Sequence, residues 1–165
     1  MYSDDPQTRL EELTSLPQCD VGSPSPQIFA HEHGLLLAYY VQGKRPLWGP
    51  EAQPEAYAVV RFERPQAHLF GPPSDETING HPLYRRGLEA YARYRVLNSP
   101  WIKWLEQLNS VHPQHKPESY SQLSHYIFTF HDSTFECIAR SLQVQIFSSI
   151  EAVAAEITSE FKPSW

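Results

Sequence analysis

The sequence predicts an α+β domain, in which an antiparallel sheet of about five strands carries two main helices on one face. Apolar segments of strand length follow one another along the chain, and the loops between them are too short for parallel crossovers. Two later segments combine a helix-start signal with helical spacing of apolar residues. With 165 residues, 41% of them hydrophobic, the chain predicts one domain, residues 1–165, with a sizeable core.

Residues 1–27 are expected to be peripheral to this domain. Pro6 follows two aspartates, as at the start of a helix, and Pro17 would end that helix. Between the two prolines a weak apolar stripe runs through Leu10, Leu13 and Leu16. Two Ser-Pro pairs between residues 21 and 27 then predict a loop.

Apolar runs and alternation predict strands over residues 28–42, 57–63 and 91–97. Residues 67–70 could extend the second strand past Pro65. Pro82 could open a short helix over residues 81–87. The alternation of residues 91–97 favours a strand, and a helix stays open as the alternative there.

A helix is predicted from Ser99 to about Asn109. Ser99 suits the N-cap position and Pro100 the first helical position. The spacing i, i+3, i+4, i+7 predicts one buried stripe, made of Trp101, Trp104, Leu105 and Leu108. A loop rich in His and Pro follows over residues 111–117, and residues 117–123 could form one or two helical turns.

A β-hairpin and a final helix complete the predicted domain. The hairpin spans residues 125–131 and 134–147. Ser148 and Glu151 then have the spacing of a capping box. The helix behind them has an apolar face made of Ile150, Val153, Ala154, Ile157 and Phe161.

The hairpin turn gathers the most reactive side chains of the chain. His131 is a candidate general acid/base, Glu136 or Asp132 its orienter, and Cys137 a candidate nucleophile. Alternation puts His125 and His131 on one strand face, but the register that would bring Glu136 to that face is not fixed by sequence. In the competing interpretation Asp132 is a turn residue, Cys137 lies in the core and Glu136 lies on the surface.

Eight histidines are a high number for this length. His31 and His33 lie two apart on one predicted strand, and His112 and His115 share the His/Pro loop. Neither pair comes with a complete set of metal ligands. We therefore predict no metal site and no cofactor. The candidate ligand-binding histidines are His112, His115, His125 and His131.

Aromatic and basic residues alternate between residues 84 and 95. Tyr84 and Arg86 are candidate ligand-binding residues in this segment, and Trp48 is a further candidate in a predicted loop. Such residues can stack on bases and pair with phosphates. The net charge of −6 nevertheless argues against nucleic acid or an anionic membrane as a partner.

Several common classes are not indicated by the sequence. It has no P-loop, GxGxxG, GxSxG or EF-hand pattern, and no signal-peptide or membrane-span pattern. Its two cysteines, Cys19 and Cys137, give neither a disulfide framework nor a zinc motif. These observations predict a soluble, cytoplasmic protein with free thiols.

The chain resembles a family of small, uncharacterised bacterial proteins in four segments, namely GHPLY (residues 80–84), NSPWI (98–102), VHPQH (111–115) and FTFHDSTFEC (128–137). The likeness covers about residues 80–140. It implies a bacterial cytosolic protein and brings no activity, cofactor or catalytic residue with it.

The sequence favours a binding or interaction protein that recognises a small molecule or another protein. Polar and aromatic side chains concentrate in its turns and loops, where function usually resides. The alternative is a small enzyme with an acid/base site centred on His131. Whether the protein catalyses a reaction is left open by the sequence.

Overall fold

Two antiparallel sheets face each other in the computed structural model, which describes residues 5–43 and 55–161. Their strands are β1 (Arg9–Glu12), β2 (Gln27–His31), β3 (Gly34–Tyr40), β4 (Tyr57–Glu63), β5 (Ala67–Gly71), β6 (Arg93–Leu97), β7 (Ser124–Thr129), β8 (Thr134–Ala139) and β9 (Ser141–Phe147). One sheet has the order β1-β6-β7-β8-β5 and the other the order β2-β3-β4-β9. The fold is therefore α+β and antiparallel, but the prediction of one sheet of about five strands is wrong.

The second sheet arises because two predicted strands each bend from one sheet into the other. Residues 64–66 separate β4 from β5, and Arg140 alone separates β8 from β9. The Arg140 N–H donates to the Glu63 carbonyl at 2.9 Å, so the two bends lie side by side. A bend of one to three residues barely disturbs the alternation of apolar residues, and the sequence pattern therefore did not reveal it.

The main core lies between the two sheets. The four-stranded sheet contributes Leu35, Leu37, Tyr39, Val60 and Phe62, and the five-stranded sheet contributes Tyr126, Phe128, Phe135 and Cys137. The ring of Phe62 lies 6.1 Å from the ring of Phe128 and 5.4 Å from that of Phe135. These contacts fix the inner faces of β7 and β8, and hence which side chains point outward.

The two helices pack on opposite outer faces of this sandwich, α1 (Pro100–Asn109) against β7 and α2 (Ile150–Glu160) against β3, β4 and β9. The prediction of two helices on one face is therefore wrong, because each of the two sheets has an outer apolar surface and each helix packs on one of them. Neither helix, nor any other in the described residues, is long and apolar enough to cross a membrane.

The predicted helix starts and stripes are only partly correct. The Ser99 hydroxyl accepts from the Ile102 N–H at 3.2 Å, which confirms that cap. At α2 the cap is Ser149 and not Ser148. Only Trp101 of the predicted α1 stripe is fully buried, whereas 40% of Trp104 and a larger part of Leu108 are exposed. The short helix contacts the sheet mainly at β7, so its second turn extends past the covered surface.

The predicted helix between Pro6 and Pro17 is wrong, because β1 forms there instead. This strand adds to the free edge of β6, with Arg9 opposite Leu97. Burying a weak apolar stripe would stabilise a helix less than the ladder of backbone hydrogen bonds to β6 stabilises the strand. Leu16 and Cys19 also join the main core, so this region is structurally part of the domain.

Three short 3-10 helices lie in the connections of the described residues, at Asp75–Gly80, Tyr84–Arg86 and Pro117–Ser119. The second lies within the helix predicted over residues 81–87 and ends at Gly87, whose φ of 94° is left-handed. The strand predicted over residues 91–97 is confirmed as β6.

Candidate functional site

Glu136 lies on β8, on the outer face of the five-stranded sheet, and its carboxylate contacts two histidines. Its Oε2 lies 2.8 Å from His125 Nε2, and its Oε1 lies 3.3 Å from His81 Nε2. All three side chains are buried. A buried carboxylate is costly unless hydrogen bonds compensate it, and the two imidazoles supply such bonds. We call these three residues the Glu136 cluster.

The register of the hairpin creates half of this cluster. Glu136 is opposite Ile127, and His125 is opposite Ile138, so Glu136 and His125 share the outer face. Cys137 is opposite Tyr126 and points into the main core. The remaining member, His81, immediately follows the 3-10 helix Asp75–Gly80.

Hydrogen bonds at the far side of the two imidazoles bear on where their protons lie, and they fix the proton of His81. The Leu83 N–H donates to His81 Nδ1 at 3.1 Å, so the proton of neutral His81 is on Nε2, facing Glu136. The Ser99 hydroxyl lies 2.9 Å from His125 Nδ1 and already accepts from the Ile102 N–H. Because a hydroxyl can accept two hydrogen bonds, Ser99 can either donate to His125 Nδ1 or accept from it, so His125 can present an N–H or a lone pair to Glu136.

Burial controls the ionisation of the cluster. It lowers the pKa of His81 to about 4, and together with the nearby charge of His81 it lowers the pKa of His125 to about 3. Burial also raises the pKa of Glu136 to about 8. The His81 N–H donor acts against this last shift, because it favours the ionised carboxylate. Near neutral pH both imidazoles are therefore neutral, and Glu136 is the group that exchanges a proton.

The cluster opens on one side into a surface depression of about 390 Å³. Glu136 and His81 form its polar wall. The rest of the lining is largely apolar and comes from Pro72, Pro73, Thr77, Gly80 and Pro82. This combination of an apolar rim and few polar groups is typical of small-molecule sites.

A second polar cluster lies at the hairpin turn, around His131. The Asp75 carboxylate Oδ2 lies 2.9 Å from His131 Nδ1, and the Asp75 N–H donates to the His131 carbonyl at 2.8 Å. The Tyr91 hydroxyl lies 2.5 Å from the same Asp75 oxygen and 2.7 Å from His131 Nδ1. We call these residues the His131 cluster.

The charges of the His131 cluster stabilise one another. The hydrogen bond and charge of Asp75 raise the pKa of His131, while the hydrogen bonds from Tyr91 and His131 lower the pKa of Asp75. Burial and the Asp75 carboxylate raise the pKa of Tyr91 to about 12, so its hydroxyl stays protonated. Tyr91 has a φ of 55°, which is rare for a bulky residue and is often found at functional sites.

The structure divides the candidate catalytic residues of the hairpin among three places. His131 is paired with Asp75, and its other ring nitrogen lies 3.9 Å from Asp132. Glu136 binds His125 and His81 instead of orienting His131, because His131 belongs to the turn beyond the paired strands. Cys137 is fully buried and its pKa is raised by burial, so it does not have the properties of a nucleophile.

The other candidate ligand-binding residues lie outside both clusters. His112 accepts from the Gln114 N–H, and His115 lies 3.2 Å from Asn109 Oδ1 at the end of α1, so neither histidine contacts the Glu136 or His131 cluster. Arg86 donates to backbone carbonyls of the N-terminal segment. Tyr84 is 45% exposed, and Trp48 lies outside the described residues.

The His31-Glu32-His33 segment is not a continuous strand. His31 ends β2, and residues 32 and 33 form the turn to β3. The ring of His31 packs 4.8 Å from that of Phe161. Within residues 5–43 and 55–161, no group of three or more His, Cys, Asp or Glu side chains is arranged to hold a metal ion.

Asp75, His81 and Ser99 are the site residues that the sequence did not single out for chemistry, and it indicated Tyr91 only as an aromatic residue of the basic segment 84–95. Asp75 and His81 lie 56 and 55 residues from the groups they contact. Neither residue belongs to a recognisable short sequence motif, so only the tertiary structure reveals these contacts. The one local signal was Ser99, which was recognised as a helix cap and not as a partner of His125.

Comparisons with models of protein families, with curated proteins and with solved structures found no match to this chain. The resemblance to a bacterial family therefore stays a prediction, and the two clusters are interpreted from their geometry.

Proposed function

We propose that the protein is a binding protein whose ligand is a small molecule that occupies the depression beside Glu136. The observation that carries this proposal is that a buried carboxylate, paired with two imidazoles, forms the wall of an open, proline-rimmed depression. Replacing a buried ionic group by apolar residues often stabilises a fold. Such a group beside a cavity is therefore better explained by recognition than by stability.

The chemistry of the wall favours a ligand that donates a hydrogen bond. His81 directs its proton toward Glu136, which leaves carboxylate oxygens as the polar feature of the depression. The prolines offer flat apolar contacts. A compact amine or alcohol with an apolar ring matches both features, whereas a carboxylate would meet Glu136 with like charge whenever Glu136 is ionised.

The proposal is tested by NMR of the imidazole resonances while benzylamine, benzyl alcohol or benzoate is added. We expect benzylamine or benzyl alcohol to shift the His81 and His125 signals in a saturable way. Glu136→Gln should weaken this binding, and the matched exposed variant Glu118→Gln should not. If none of the three compounds moves these signals, the proposed binding site is refuted.

A second candidate function is acid–base catalysis by His131, and the observation that favours it is the Asp75–His131 pair. The carboxylate holds Nδ1 at 2.9 Å, while 45% of the His131 side chain is exposed. An oriented imidazole with an accessible ring is the arrangement of a general base. The orienter in this candidate is Asp75, in place of Asp132 or Glu136.

This candidate predicts that His131→Ala abolishes turnover while the fold persists. A first screen is the hydrolysis of p-nitrophenyl acetate, with His112→Ala as a control for an exposed histidine outside the cluster. Equal rates for the wild type and both variants would exclude His131 catalysis of this reaction. Loss of the folded state in His131→Ala would instead make the residue structural.

A further inference from the structure

A basic pocket lies on another part of the surface, where the β4–β5 bend meets the chain that follows α1. Its volume is about 450 Å³. Arg64 and Gln66 line it from the bend and Arg140 from the neighbouring β8–β9 bend. Asn109 lines it from the end of α1, and Lys116 and Tyr120 from the segment after α1. None of these residues belongs to the Glu136 or His131 cluster, so the pocket is independent of the proposed function.

The pocket carries three positive charges and is lined by no acidic residue. Within the described part of the chain, Arg64, Lys116 and Arg140 form no ion pair, whereas Arg61, Arg95 and Lys103 each bind a carboxylate. This is unexpected in a chain of net charge −6, where acidic partners are in excess. A concave surface lined by one sign of charge concentrates counter-ions.

The backbone holds two of these cations side by side. The Arg140 N–H donates to the Glu63 carbonyl at 2.9 Å, and the Gln66 N–H donates to the Ile138 carbonyl at 2.8 Å. Between these bonds Arg64 has a φ of 49°, a left-handed conformation that is uncommon for a long side chain. The two bends therefore keep like charges together at the cost of local strain, which is a feature of binding sites.

The opposite wall adds a neutral donor and an aromatic surface. Asn109 Oδ1 lies 3.2 Å from His115 Nδ1, so the amide oxygen is occupied and its N–H₂ group is the end left for a ligand. The His115 ring also packs 5.9 Å from the ring of Tyr120. His115 thus supports this wall from behind, and Tyr120 offers the apolar contact.

We propose that this pocket binds a small organic phosphate, a phosphate monoester whose apolar part lies against Tyr120. Two guanidinium groups and one ammonium group match the double charge and the several acceptor oxygens of a phosphate monoester. The volume is in the range of small-molecule sites.

The test is isothermal titration calorimetry of the full chain with phenyl phosphate, inorganic phosphate and a 12-nucleotide single-stranded DNA. We expect saturable binding of phenyl phosphate, at least about fivefold tighter than inorganic phosphate because of the contact with Tyr120. Equal affinity for the two phosphates would overturn the organic part of the proposal. Tighter binding of the DNA would overturn a small molecule as the ligand.

Variants locate the binding. Lys116→Gln and Arg140→Gln should each weaken phenyl phosphate binding about fivefold or more. Arg9→Gln removes the same charge from an exposed position on β1 and should leave the affinity unchanged. Because Lys116 is an exposed loop residue, Lys116→Gln retains the fold even if substitution at the bend does not. Equal weakening by all three variants would show only a general charge effect and would refute the pocket.

Discussion

Replacing Glu136 by Gln tests the physical basis of the Glu136 cluster. A protonated carboxyl and an amide have nearly the same shape, and each presents one acceptor and one donor to the two imidazoles. The substitution therefore changes little when Glu136 is protonated and removes a buried charge when it is ionised. The expected effect on stability thus depends on pH.

The size of this effect follows from the pKa of Glu136, which burial raises from 4.5 to about 8. A raised pKa means that the folded state holds its proton more tightly than the unfolded state. The related stability is complete below pH 4.5 and is lost as the pH rises through about 8. At about 1.4 kcal/mol per pKa unit, the wild type should lose roughly 4 kcal/mol from this group between pH 5 and pH 9.

Glu136→Gln cannot undergo this loss, since an amide does not titrate. At pH 5 the two proteins should differ by less than about 1 kcal/mol, and at pH 9 the variant should be the more stable by up to about 4 kcal/mol. Urea unfolding at pH 5, 7 and 9 measures this difference. Fluorescence can report it, because the Trp101 ring packs 5.3 Å from the His125 ring. Glu118→Gln controls for the loss of an exposed carboxylate.

One result would refute this reasoning. If both imidazoles donated an N–H to Glu136 and together outweighed burial, Glu136 would stay ionised throughout this pH range. Glu136→Gln would then leave a donor facing a donor, and it would destabilise the protein by about 1–3 kcal/mol at all three pH values. A constant loss of stability therefore shows that the pKa of Glu136 is not raised.

Three further predictions concern other parts of the molecule. Asp75→Asn should lower the pKa of His131, because it removes the hydrogen bond and charge that raise it, and an NMR titration of the imidazole would show no change if Asp75 were not its partner. Cys19 and Cys137 should resist iodoacetamide in the folded state and react in urea, since both thiols are buried with raised pKa values, and rapid native labelling would contradict their placement. Trp101→Ala should lower the free energy of unfolding by about 3–5 kcal/mol and Trp104→Ala by less than about 1 kcal/mol, as measured by urea unfolding. Equal losses for the two variants would show that Trp104 is buried like Trp101, as the apolar spacing predicts.

The sequence predicts the local structure of this fold better than its assembly. The hairpin of β7 and β8 and the cap at Ser99 follow from short patterns of apolar and capping residues. The division into two sheets depends on the bends at residues 64–66 and at Arg140, and those bends leave the alternation almost intact. The N-terminal strand depends on the free edge of β6, which is a tertiary feature that no local pattern encodes.

The candidate site shows the same limit. Sequence alternation does not decide whether His125 and Glu136 lie on the same face of the sheet. Only the pairing register of β7 and β8 places both on the outer face. The sequence indicates His131 as an acid/base candidate, but it offers only the carboxylates of the same hairpin, Asp132 and Glu136, as partners. Asp75, the residue that holds its ring, comes from a distant segment, and proximity in sequence could not reveal it.

Both clusters depend on one segment, residues 72–82, which crosses the outer face of the five-stranded sheet. This segment supplies Asp75 to His131 and His81 to Glu136, and it also supplies the proline rim of the depression. Two bonds fasten it to the hairpin, from the Thr134 hydroxyl to the Pro73 carbonyl at 3.0 Å and from the Asp75 N–H to the His131 carbonyl at 2.8 Å. A ligand that displaces this segment from Glu136 must therefore also alter the geometry around His131, so binding in the depression and the ionisation of His131 should be thermodynamically linked.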